Sequence, residues 1–146
     1  IRPLEMSGAI GSVQLQKLPI LISNRKKNAI IFKSLFENEP NISIQQETEV
    51  SSWFGFSLLL TNKLSSFRDD LINILMENNI ECRPIVAGNF TKNPVIKLLN
   101  YNICGKLSVS DEIDKNGFFV GNDFRDLKNE IHYLHKLIKD FEKKIL

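Results

Sequence analysis

Histidine, tryptophan and cysteine are scarce in this chain: two, one and two among 146 residues, and each scarcity removes a class of function. Cys82 and Cys104 have no CxxC spacing and no histidine cluster beside them, which excludes a zinc finger. Two thiols also make no disulfide framework, so they read as free cysteines of a reducing, cytoplasmic setting. Positive charge is in short supply too: the net charge is +2, and no polycationic surface for nucleic acid is implied. Arg25-Lys26-Lys27 and the lysines near the C-terminus read as solvated faces. No apolar run approaches the ~18 residues of a membrane span. The sequence offers no Ser–His–Asp order, no glycine-rich phosphate loop after a strand, and no repeat or low-complexity segment. The opening IRPLEMSG has neither a start Met nor a signal-peptide pattern and reads as the interior of a longer protein. Without a secretion signal the sequons at Asn41 and Asn89 carry no weight.

What is present suits one domain with its own core, with 42% apolar and 25% charged residues. Pro3 opens a helix over residues 3–18, made slim by Ser7, Gly8, Ala9 and Gly11. Each glycine weakens an isolated helix by about 1 kcal/mol relative to alanine, so this one is expected to be buried at a close contact, as with another domain or subunit. Pro19 interrupts it, and a second helix follows over 20–37. Ile42 and Ile44 alternate as a short strand. Trp53–Leu60 is the strongest strand signal and is expected at the centre of a sheet. Ser66, with Asp69 three residues on, predicts a capped helix running to Asn78. A strand over 80–86 follows, then a short helix from Asn93-Pro94. Ser108 or Ser110 caps another helix to Asn116, and Phe118-Phe119-Val120 forms a last strand. Leu127, Ile131, Leu134, Ile138, Phe141 and Ile145 recur at steps of three and four, predicting an amphipathic helix laid on the sheet. His132 and His135 sit in it without a third metal ligand, and no metal site is predicted. The order of elements predicts a small α/β layer.

The chemistry concentrates in Ile80–Asn93, IECRPIVAGNFTKN. Alternation sends Ile80 and Cys82 to one face of a strand and Glu81 and Arg83 to the other. Pro84 removes a ladder donor, so pairing ends near it. Gly88-Asn89 marks a turn. A guanidinium held on a stiff strand beside such a turn suits a phosphate or carboxylate, which it grips with two parallel hydrogen bonds.

Three segments carry a family resemblance. Residues 1–18 resemble the R-x-x-E-x-x-A-A-I-G-x-x-Q-L segment of sugar aminotransferases of the DegT/DnrJ/EryC1/StrS type, which are fold type I pyridoxal-phosphate enzymes acting on nucleotide-linked keto sugars. IECRPIVAGNFTKN and DKNGFFVGN resemble the narrower branch of sugar 3-dehydratases in deoxysugar biosynthesis, whose substrate is a GDP-4-keto-6-deoxymannose-like sugar. The resemblance implies a small C-terminal domain of α/β (α+β) class, with a three- to four-stranded sheet covered by helices. It implies that residues 1–38 link to a large domain and a dimer interface, and that 39–146 form the small domain. The cofactor, pyridoxal or pyridoxamine 5'-phosphate, then sits mainly in the large domain as an electron sink. No catalytic residue is carried over to this chain, since neither histidine occupies the family's catalytic position, and this segment alone is expected to be inactive. Glu81 and Arg83 match positions that contact the sugar nucleotide, Asn89 sits in the loop of the same motif as a further substrate-binding candidate, and Arg2 matches an arginine reaching the partner's cofactor phosphate in a homodimer. Two other readings stay open: a nucleotide-sugar 4-aminotransferase, and a non-catalytic dimerisation module built on the slim first helix.

Overall fold

The computed structural model describes residues 4–146. Eight main elements follow in order: α1 (Glu5–Phe36), β1 (Ile42–Ile44), β2 (Gly55–Leu60), α2 (Arg68–Glu77), β3 (Cys82–Arg83), α3 (Ser108–Asn116), β4 (Gly117–Gly121) and α4 (Lys128–Ile145). The strands form one sheet in the order β1-β2-β4-β3, with every pair antiparallel. The expected small α+β layer is therefore present, and β2 lies inside the sheet as its apolar run predicts.

Strand alternation decides what is buried. Phe56, Leu58 and Leu60 of β2 face the helices with Phe118 and Val120 of β4, because Phe56 pairs with Val120 and Leu58 with Phe118. Onto that face pack Phe32 and Phe36 from α1, Leu71 and Leu75 from α2, and Ile131, Leu134, Ile138 and Phe141 from α4. Each such side chain contributes about 1.5–3 kcal/mol on full burial, so the α4 stripe alone accounts for the docking of that helix. Phe32 stacks on Phe56 with centroids 4.2 Å apart, tying α1 to the middle of the sheet.

Several local expectations change. The helices expected over 3–18 and 20–37 are one helix, with Pro19 inside it. A proline there orphans the carbonyl four residues back, and Leu15 and Pro19 both lie in the exposed half of α1, where water can take it. No other described residue buries that first half: residues 4–20 are exposed, and a Cβ at Gly8 or Gly11 would meet nothing within 4 Å. The chain packs only against the second half, at Asn28, Ala29, Phe32 and Phe36. β2 starts at Gly55 because Trp53, buried at 3% exposure, has a left-handed φ of 53° that turns the chain into the strand. Neither Ser66 nor Ser108 nor Ser110 caps a helix: Phe67 and Leu107 occupy the cap positions, with no side-chain bond. After Asn93 the chain forms a five-residue 3-10 helix, Pro94–Leu98, capped by the Asn93 side chain through Val95 N.

Candidate functional site

The end of α2 delivers β3. Asn79 adopts φ 61°, and the Asn78 side chain donates to the Ile74 carbonyl at 2.8 Å. The Ile80 amide then closes back on the Leu75 carbonyl. β3 is only two residues long, shorter than the 80–86 expected, because Pro84 denies it further donors. Cys82 pairs with Val120 on the core side and Arg83 with Phe119 on the outer side. Burial pushes the Cys82 thiol up to about 11, which makes it a poor nucleophile.

Glu81 and Arg83 are brought together, as their two-residue spacing requires. Arg83 donates from Nε at 2.8 Å and from Nη2 at 2.6 Å, both to Glu81 Oε1. The side chains are 70% and 73% exposed, so the pair adds little to stability; what it fixes is orientation. Both residues line a cleft of about 530 Å³ between β3, the end of β4 and the first turns of α4.

The opposite wall of that cleft escaped the sequence reading. It is the loop from Gly121 to Leu127, which carries Asp123 and Arg125. Arg125 Nε donates to Asp123 Oδ2 at 2.6 Å, while Asp123 Oδ1 accepts the Phe124 amide. The Phe124 bond and then Arg125 hold the Asp123 carboxyl below its ordinary value. Two buried asparagines fix this loop. Asn28 Nδ2 lies within hydrogen-bond distance of Asn122 Oδ1 and the carbonyls of Asp123 and Arg125, and Asn28 Oδ1 accepts from the Leu127 amide. Asn122 Nδ2 donates to the carbonyls of Arg25 and Trp53, which helps hold the strained Trp53 turn. The only local hint was Asn122 after a glycine; its side-chain partners lie 69 to 97 positions away. The cleft also has an aromatic flank. Phe54 stacks on Phe119 at 5.9 Å, with the Arg25 guanidinium 5.7 Å from the Phe54 ring centre. Gly55 is required there, because a Cβ would sit 2.1 Å from the Phe119 ring.

Asn89 stands apart from this cleft. It is buried at 6% exposure, donates from Nδ2 to Asp111 Oδ1 at 2.9 Å, and accepts from Thr91 N and Oγ1. Its backbone amide goes to Asp114, and Lys92 bridges Asp111 and Asp114 at 2.8 and 3.0 Å. Hydrogen bonds from Lys92, then Asn89, hold Asp111 below its ordinary value. In this structure Asn89 fastens the 84–93 loop to α3 and does not line this cleft, because both ends of its amide are spent inside the fold. Arg2 lies outside the described residues. His135 Nε2 is 2.7 Å from Glu39 Oε1, and His132 Nδ1 is 2.7 Å from the Lys128 carbonyl. The two rings serve separate contacts, and no metal-holding cluster occurs among the described residues. Likewise no helix among them is long and apolar enough to cross a membrane.

Chemically, the cleft presents guanidinium forks for an anion and carboxylates that accept from hydroxyls. No lysine or histidine lines it among the described residues. That donor set fits a phosphorylated sugar and does not fit a pyridoxal cofactor, which needs a proton-transferring or imine-forming group at its carbonyl.

The profile of the DegT/DnrJ/EryC1/StrS aminotransferase family matches residues 2–122. The GDP-4-keto-6-deoxy-D-mannose 3-dehydratase of Yersinia pseudotuberculosis is 53% identical over 140 residues, covering 95% of this chain and 36% of that protein. The E. coli GDP-4-keto-6-deoxy-D-mannose-3-dehydratase structure with bound hydrated PLP superposes with a TM-score of 0.89 at 48% identity, over 94% of this chain and 36% of that one. A mutant of a GDP-4-keto-6-deoxymannose-3-dehydratase with bound GDP-perosamine superposes with a TM-score of 0.88 at 47% identity, over 94% of this chain and 36% of that one. The chain thus spans about a third of the length of the relatives it matches.

Proposed function

The chain belongs to the DegT/DnrJ/EryC1/StrS aminotransferase family, and from that premise we propose that it is the small-domain part of a PLP- or PMP-dependent nucleotide-sugar 3-dehydratase of deoxysugar biosynthesis. The observation that carries this reading is the 53% identity to a GDP-4-keto-6-deoxy-D-mannose 3-dehydratase over nearly the whole chain. The proposed substrate is a GDP-4-keto-6-deoxymannose-like sugar, in keeping with the GDP-perosamine bound by the superposing mutant.

In this reading Arg83 grips the phosphates of the substrate and Glu81 accepts from a hydroxyl of its sugar. The tether between them sets both before the ligand arrives, which lowers the entropy lost on binding. Asn89 keeps the intervening loop in place. The cofactor supplies the electron sink for loss of the C3 hydroxyl and is held outside this cleft, chiefly by protein beyond these residues. Residues 1–38 link to that protein and to a second copy in a homodimer, with Arg2 directed to the partner's cofactor phosphate; residues 39–146 are the small domain. The apolar side chains Met6, Ile10 and Val13, exposed at helical spacing on α1, support this division.

The test is the complete enzyme with PLP, an amino donor and GDP-4-keto-6-deoxymannose, with the sugar followed by NMR. Loss of the C3 oxygen is expected. A new C4 amine with the C3 oxygen retained would make the protein an aminotransferase, and no turnover of either kind would favour a dimerisation module.

A further inference from the structure

We propose that Arg125 is a second guanidinium contact for the phosphate groups of the ligand, working with Arg83 from the opposite wall of the cleft, so that the site selects a diphosphate over a monophosphate. The inference rests on reading this cleft as the nucleotide-sugar site.

The two walls repeat one device. Arg83 is tethered through Nε and Nη2 to the acid two residues before it, and Arg125 is tethered through Nε alone to Asp123, also two residues before it. In each pair Nε is spent on the tether. For Arg125 this leaves both terminal nitrogens, and so the flat end of the fork, without a partner among the described residues. A guanidinium restrained at Nε and open at its tip loses little freedom when it grips an oxyanion. The side chain is 73% exposed, so the approach is open.

The backbone beneath Arg125 is unusually well held for a surface loop. Asn28 is 1% exposed, and its amide is spent on the backbone of Asp123, Arg125 and Leu127 and on the Asn122 side chain. Burying an amide is costly unless every polar atom is satisfied, and here it is satisfied almost entirely by the loop carrying Arg125. A loop that only joined β4 to α4 would need no such support.

Charge balance limits what fits. Glu81 and Asp123 offset their own arginines, and Glu130 on the first turn of α4 adds a third carboxylate to the lining. A bare anion of one phosphate gains one fork and meets these acids. A diphosphate, free or esterified, gains both arginines, and the sugar of an ester adds hydroxyls that the carboxylates accept from.

The experiment is a titration of the 146-residue chain, 15N-labelled, with inorganic pyrophosphate and separately with orthophosphate, reading the arginine Nε–H signals. Arg83 and Arg125 should shift on one pyrophosphate isotherm. Arg125→Gln should weaken pyrophosphate roughly tenfold or more while changing orthophosphate much less, and Arg125→Lys should recover only part, since an ammonium has no fork. The exposed side chain makes the glutamine variant a safe one for folding. The inference is overturned if wild-type protein binds no pyrophosphate, if the Arg125 signal stays still while Arg83 saturates, or if Arg125→Gln binds pyrophosphate as wild type does. A complete enzyme inactive on nucleotide sugars, with both arginines still shifting, would remove the substrate reading and leave the arginine pair standing.

Discussion

Asn28 Nδ2 lies 2.8 Å from the carbonyl oxygen of Arg125, a residue 97 positions further along the chain. This buried amide helps join the long first helix to the wall of the cleft. Replacing Asn28 with alanine strands the carbonyls of Asp123 and Arg125 and the Leu127 amide in a site too buried for easy hydration. Urea unfolding should show a loss of about 2–5 kcal/mol, since each unsatisfied buried group costs about 1–3 kcal/mol. A change within about 0.5 kcal/mol, the range of an ordinary surface substitution, would mean that the amide is not the clamp it looks.

Arg83 and Asn89 are close in sequence but should respond differently. Arg83→Ala removes an exposed pair and should leave the melting temperature within a degree or two, by the small value of such pairs. In the complete enzyme it should raise KM for the nucleotide sugar roughly 10- to 100-fold, the usual worth of a charge-assisted bond. Asn89→Ala should lower stability by about 1–3 kcal/mol, because Asp111 loses the amide and Thr91 loses its acceptor. Paired melting and kinetic measurements on both variants separate the two roles.

The cysteines should differ in reactivity. Cys82 is half-buried with its thiol pushed up to about 11, and Cys104 is exposed. At mildly alkaline pH a disulfide reagent should label Cys104 rapidly and Cys82 only after denaturation. Equal rates for the two would show that the β3 edge opens in the native protein.

Stability should fall on the acid side through Glu39. Burial raises its carboxyl, but hydrogen bonds from Lys139 and His135 and their charges outweigh that and leave it below the ordinary 4.5. Lys139 also bonds Glu142, which it likewise pulls down. A carboxyl depressed in the folded state contributes fully above its unfolded value and loses that contribution as pH falls through the folded one. Melting temperature should therefore drop from about pH 5 downward, and Glu39→Gln should flatten that slope while lowering the plateau at neutral pH. An unaltered slope in the variant would assign the acid limb to other groups.

Much of this arrangement is legible one element at a time. The steps of three and four in α4 require a helix with one buried stripe, and the run at Gly55–Leu60 suits only an interior strand. The alternation of Glu81 and Arg83 puts them side by side. What escapes is set by distant partners or by solvent. Pro19 reads as a break, yet α1 continues through it where that half of the helix meets water. Trp53 takes a left-handed turn whose carbonyl is held by Asn122, 69 residues on. Asp123 and Arg125 look like any charged pair in a connecting loop until Asn28 is seen beneath them.

α1 has a geometric consequence of its own. From Asn28 back to Glu5 a helix extends about 35 Å, so a tilt of a few degrees at the packed end sweeps the far end through roughly 3 Å. The lever also works in reverse: whatever grasps the exposed arm bears on the Arg125 wall through Asn28 and through the Arg25 carbonyl that Asn122 holds, with Pro19 interrupting the helical ladder between them.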